Sequence, residues 1–220
     1  GALEFSEEIS KAGTQPIIGS QINFKFYDSI GKLVIFAKTE KGFRNLTKLS
    51  SKSYLEVKEN TIPHCLVDDL IKNGDDLIVL SGGIDSLFSN LIKKNNIKQL
   101  EEIVKKLQEI FLDRFYFEIQ RHGDIGEKNV ENIFINLSNK FNVPLIASQE
   151  VFYIEKDMYE AHDALLCIGG KTYVEEKNRK KFNDQHYIKF SDEIEKIYKD
   201  LPEALENNYN FPFRFNYKLK

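Results

Sequence analysis

Tryptophan is absent from this chain of 220 residues, and cysteine occurs twice, at Cys65 and Cys167. Each cysteine stands alone in an apolar context with no CxxC partner. That fits buried thiols in a reducing compartment better than a disulfide framework. No apolar run approaches the roughly 18 residues that span a bilayer, so no membrane contact is expected. The opening GALEFSEEIS is acidic and lacks the layout of a signal peptide. Excess positive charge is missing as well, with a formal net charge of −3. A nucleic-acid surface therefore has to be a local patch, because the summed charge does not supply one. The expected location is cytoplasmic.

What is present is the composition of a globular protein, 41% hydrophobic and 30% charged. Residues 1–11 read as a helix with Leu3, Phe5 and Ile9 as its apolar positions. No methionine precedes it, and the expectation is a fragment that starts part-way through an αβ unit. Residues 16–26 and 32–37 read as a hairpin-like pair of strands, with a helix expected over 40–51. A helix is expected over 64–73, opened by Pro63, and a buried strand over 76–80. Asp85 reads as the cap of a helix running to about residue 94. Residues 98–111 are strongly amphipathic, with Leu100, Ile103, Val104, Leu107, Ile110 and Phe111 on one face. A strand over 114–120, a helix over 127–141, a strand over 143–147 and a helix over 156–168 follow. Residues 169–190 read as irregular, apart from a candidate strand over 186–190. Ser191 is the expected cap of the next helix, and the tail FPFRFNYKLK is expected to dock outside this chain. Strands alternate with helices throughout, which argues for a parallel α/β fold, either a barrel or an open sheet.

No standard catalytic motif is assembled. Ser81-Gly82-Gly83 lies between a strand and a helix, but neither GxGxxG nor GxxxxGK[ST] is present, so a tight turn is the plainer explanation. The histidines His64, His122, His162 and His186 show no HxH or HExxH spacing. His162 and Asp163 are adjacent on a helix and point about 100° apart, a poor geometry for sharing an ion. Glu118 lies inside a strand and suits either catalysis or a structural pair. The basic run holding Lys177, Arg179, Lys180 and Lys181 carries interleaved aromatics that suit a phosphate contact, while a solvated loop is the commoner case.

Seven blocks, in order along nearly the whole chain, resemble one family. GALEF…AGTQPIIG, LVIFAKTEKGFRNLTKLSS, LIVLSGG, FYFEIQRHG, VPLIASQEVFY, AHDALLCIGGK and DLPEALENN are similar to the PHP (polymerase and histidinol phosphatase) domain. The form resembled is the one at the N-terminus of bacterial DNA polymerase III alpha subunits. The resemblance implies a distorted (β/α)7 barrel over residues 1–200, incomplete at its N-terminal strand. Residues 201–220 then begin the connection toward the polymerase core.

Metal-binding members of that family hold divalent ions with His, Asp, Glu and Cys, and some use them against phosphoesters. The matching positions here are Gln21 for Glu, Lys32 for His, Gly83 for Cys, Glu150 for Asp and Phe152 for His. An ammonium repels a metal, while Gly and Phe offer no ligand, so neither a catalytic nor a metal site is expected. The resemblance thus implies a scaffold that packs against the polymerase core and docks a proofreading exonuclease subunit. Mg²⁺ is expected for the parent polymerase, and DNA is expected to be contacted mainly through it. The competing expectation is an active phosphoesterase or 3′–5′ exonuclease using Glu118, His122, Glu150 and His162. A third is a nucleic-acid-binding module built on the basic run. The strand at 143–147 is the organising stretch in each case, with Phe152 expected to pack the former metal pocket.

Overall fold

Alternating apolar residues in the first two strands and continuous apolar runs in the later ones build the sheet of this computed structural model, which describes residues 1–219. Helix α1 (Ala2–Lys11) leads to strands β1 (Gly19–Phe26) and β2 (Ser29–Ala37). Helix α2 (Glu40–Leu55), strand β3 (Cys65–Leu66), helix α3 (Val67–Lys72) and strand β4 (Leu77–Leu80) follow. Helices α4 (Leu87–Lys93) and α5 (Ile97–Phe111) precede β5 (Phe115–Gln120), α6 (Glu127–Phe141) and β6 (Leu145–Ser148). The chain ends with α7 (Tyr159–Gly170), α8 (Ser191–Ile197), α9 (Pro202–Asn210) and a short 3-10 turn, Phe211–Arg214.

The six strands form one sheet in the order β3-β1-β2-β4-β5-β6. The sheet is mixed rather than parallel. β2 runs antiparallel to both β1 and β4, while β1–β3, β4–β5 and β5–β6 are parallel. A two-residue turn between β1 and β2 reverses the chain, and this one hairpin breaks the β–α alternation.

The two faces of the sheet have different chemistry. Leu33, Ile35, Leu77, Val79, Phe115, Phe117 and Leu145 point into a core closed by α2, α4, α5 and α6. There Phe117 stacks on Phe134 at 4.9 Å, and Phe88 meets both rings edge-on. The opposite face carries Ile78, Leu80, Tyr116 and Ile146, and it is covered by Phe211 and Phe215. Farther along that face the side chains turn polar, with Lys32 on β2 and Glu118 and Gln120 on β5.

Several boundaries differ from expectation for local reasons. Cys65 and Leu66 pair with Phe24 and Lys25 as a strand, so the helix expected from residue 64 starts at Val67. Ser86, not Asp85, caps α4, because its hydroxyl accepts from the Ser89 N–H. Ser191 lies inside α8, where Glu193 reaches back to accept from the Phe190 N–H. Residues 186–190 form no strand beyond a single bridge between Tyr153 and Tyr187. On α1, Leu3 and Phe5 face solvent while Ser6 is buried. Ile110 is likewise exposed on the otherwise buried face of α5.

The tail docks on its own chain. Phe36 makes edge contacts with Phe211 and Phe215, the Asn216 N–H donates to the Lys38 carbonyl, and Tyr217 stacks on Phe43. Phe211→Ala should therefore cost about 2–4 kcal/mol of stability. Urea denaturation of the protein checks this, and an unchanged midpoint would contradict the packing.

Candidate functional site

The polar end of the sheet lies at the C-terminal ends of β4, β5 and β6, where α/β folds place their ligands. Gln21, Lys32, Gly83, Gln120, Asp124 and Glu150 line a narrow cleft of about 30 Å³ there. At Gly83 the Gln120 side chain lies close to the backbone. A Cβ at this position would lie 2.0 Å from Gln120 Oε1 and 2.7 Å from its Cδ. The Gln120 amide thus occupies the space that a side chain at residue 83 would need.

The β5–α6 turn is held by Glu127. Its carboxylate accepts from the backbone N–H groups of His122, Gly123 and Asp124, and from His122 Nδ1 at 2.9 Å. Burial pushes this carboxyl up, but the hydrogen bonds from His122 outweigh it and hold the group below the usual carboxylate range. The Glu150 N–H donates to His122 Nε2 at 3.1 Å, which places the ring proton on Nδ1. His186 Nδ1 lies 2.9 Å from the Glu150 carbonyl oxygen, and its Nε2 lies 3.2 Å from Asp124 Oδ2. The His122 and His186 rings stack at 4.1 Å and 7°. Asn183 completes the loop by donating to Asp124 Oδ1 and to the His122 carbonyl.

His122, Asp124 and His186 bring ligand atoms within 4.8 Å of one another, so they are the metal candidate among the described residues. The ring geometry does not suit an ion. A ligating imidazole uses an in-plane lone pair. In two parallel rings 4.1 Å apart, an ion in the plane of one lies well out of the plane of the other. His122 Nε2 is also already accepting a backbone N–H.

The five family ligand positions do not suit a metal cluster either. Gln21 is exposed, Lys32 brings an amine, and Gly83 faces the Gln120 amide. Phe152 does not fill the cleft. It stacks on His162 at 5.2 Å and packs on Phe182 at 4.3 Å and His186 at 5.1 Å. Phe182 is the aromatic that lines the cleft. Glu150 keeps its carboxylate at the cleft while its backbone joins the two histidines.

Of the residues of the enzymatic alternative, His122 and Glu150 meet through the Glu150 backbone, while Glu118 and His162 lie in other surroundings. Glu118 is buried, with Oε1 accepting from Ser148 and from Gln120 and with Oε2 left without a partner. Burial raises its pKa above the ordinary carboxylate value. His122 is committed to Glu127 and Glu150. His162 sits in the aromatic cluster, its Nδ1 without a hydrogen bond. In the basic run, Arg179 forms a bidentate pair with Asp163 at 2.5 and 2.7 Å and donates to the Val174 carbonyl. Lys180 lies over Phe182 and Lys181 over Tyr159, while Lys177 is exposed. Cys65 is buried, donates to the Leu49 carbonyl, and has its thiol raised by burial to about 11.

Gln120, Asp124, Glu127 and Phe182 were not singled out by sequence. One signal was legible: an acidic residue directly after Gly126 at a helix start is a candidate acceptor for N–H groups of the preceding turn.

A mixed sheet with helices on one face and a polar cleft at its strand ends defines the class as an α/β domain. The PHP domain model matches residues 1–122, and the chain belongs to that family. It is 35% identical over 215 residues to the DNA polymerase III subunit alpha of Rickettsia bellii, covering 97% of this chain and 18% of that protein. The protein of the same name from Caulobacter vibrioides is 33% identical over 97% of this chain and 19% of its own length. That from Vibrio cholerae is 30% identical over 100% of this chain and 19% of its own length. The chain thus spans about a fifth of the length of the curated relatives it matches.

Two outcomes are expected from the cleft. Gly83→Ala should displace the Gln120 amide and destabilise by about 0.5–1.5 kcal/mol, the worth of its hydrogen bond to Glu118, and combining it with Gln120→Ala should show a coupling readable in a double-mutant cycle. Additive effects would show that the amide does not fill the gap. Glu118 has a folded-state pKa above its unfolded value. Its contribution is therefore fully present below the unfolded value, 4.5, and is lost as pH rises through the folded value. Glu118→Gln should accordingly gain stability relative to the parent as pH rises from 4 to 8. Thermal melts across that range check the sign.

Proposed function

We propose that this chain is the PHP domain of a replicative DNA polymerase III alpha subunit and that its role there is structural. Its activity as part of the polymerase, its Mg²⁺ and its DNA contacts then reside in the parent polypeptide, in the cytoplasm. The likeness of relatives named DNA polymerase III subunit alpha, over nearly the full chain, supports the parentage. The observation that carries the structural role is the Gln120 amide in the space beside Gly83, with the Lys32 amine at the same cleft. Hydrolysis at a metal cluster needs open ligand positions around a cation, and here an amide and an ammonium take them.

The finer architecture in this reading is a (β/α)7 barrel. Among the described residues β6 pairs only with β5, and β1 meets β3 only at Phe24 and Lys25. Both free edges can accept a further strand, which supports closure of the sheet. The polymerase core of the parent chain is the first partner in this reading, and the proofreading exonuclease subunit the second.

The test uses the full-length parent polypeptide. It should extend a primed DNA template with Mg²⁺. After purification with zinc or manganese, its PHP part should hold no stoichiometric metal and should not turn over a chromogenic phosphodiester. Failure to extend the primer would overturn the parentage. Tight metal with phosphodiester turnover, abolished by Glu118→Gln, would overturn the structural role in favour of an active phosphoesterase.

A further inference from the structure

Helix α7 is apolar on the side that faces solvent. Ala161, Ala164, Leu165 and Ile168 are all exposed, at the i, i+3, i+4, i+7 spacing that packs one helix against another element. Leu165 is 63% exposed and Ile168 75%, and Met158 extends the stripe toward the N-terminus at 45%. The two alanines between larger residues suit close approach of a neighbouring backbone.

The helix cannot turn this stripe inward. Its opposite face is anchored by Cys167 and by Asp163, whose carboxylate is gripped at both oxygens by Arg179. The Arg179 guanidinium holds the Asp163 carboxyl below the usual carboxylate range, and Arg179 also binds the Val174 carbonyl. The segment after α7 is thereby fastened to the buried side. Tyr173 and Val174, within it, are themselves largely exposed, at 74% and 55%. The stripe is therefore a fixed surface, and among the described residues nothing covers it.

We infer that this stripe is the docking face for the polymerase portion of the same polypeptide. The inference rests on the parentage proposed above. Size selects the occupant. A helix of 12 residues is about 18 Å long and about 10 Å wide, so its face offers on the order of 200 Å². A separate protein, or a second copy of this chain, needs about 800 Å² per side for a stable complex. A covalently joined neighbour does not, because the tether raises its effective concentration to roughly the millimolar range. Relatives in which some four fifths of the length lies outside the matched region have such a neighbour.

The experiment places the photo-crosslinking residue p-benzoylphenylalanine at Leu165 of the full-length polypeptide, with Ile125, which is fully exposed elsewhere, as the control position. The expected result is crosslinking within one chain, from Leu165 to peptides beyond residue 220, and none from Ile125. Crosslinks to a second copy, crosslinks to a separate protein, or no crosslink would each overturn the inference. Leu165→Glu in the full-length polypeptide should also speed amide exchange in α7 by about tenfold. An unchanged exchange rate would count against it. Primer extension by the same preparation reports on the parentage independently, so failure of the surface and failure of the parentage are told apart.

Discussion

One carboxylate organises the functional end of the fold. Glu127 is buried at the start of α6 and collects three consecutive backbone N–H groups and the ring of His122. A buried carboxylate without partners would take up a proton or destabilise the fold, so this pattern of donors is what makes the position tolerable. It fixes the turn after β5, and through His122 it fixes Glu150 at the end of β6. Glu150 in turn positions His186, and His186 faces Asp124 on the same turn. The network closes on itself and ties the loop ahead of α8 to the sheet. Tyr198 adds a second tie, its hydroxyl lying 2.8 Å from the Ile119 carbonyl and 3.0 Å from that of Ser148.

In the neighbouring cleft, two of the positions that resemble metal-ligand positions are packed by local side chains. The space at Gly83 is taken by Gln120, and Gln120 also donates to Glu118 on the same strand face. Phe152 leaves the cleft for an aromatic cluster with His162 and Phe182. The remaining charge imbalance falls on Glu118, whose second oxygen has no partner and whose carboxyl is raised by burial.

Local patterning made most elements legible. α2, α5 and α6 follow from the 3.6-residue period and β4–β6 from short apolar runs, with Ser86 against Asp85 a one-residue error in a cap. The failures are those of range. The pairing of Cys65 with Phe24, the return of Phe211 and Phe215 to the sheet, and the antiparallel β2–β4 pair are contacts between distant segments. The same limit applied to the site. Arg179 looked available in a basic run, yet its partner Asp163 lies on α7. Gln120 and Gly83 are 37 positions apart, and only the folded backbone shows that one fills the other's space. The family blocks supplied what periodicity could not, namely which polar positions belonged to one cleft.

The central proposal is that the Gln120 amide beside Gly83, with Lys32 lining the same cleft, leaves no place for a metal cluster. Anomalous diffraction from crystals of the protein grown with manganese tests it most directly. The account predicts electron density for the Gln120 amide against Gly83 and no anomalous peak among Lys32, Asp124 and Glu150. A peak at that position, with Gln120 swung away from Gly83, would contradict it.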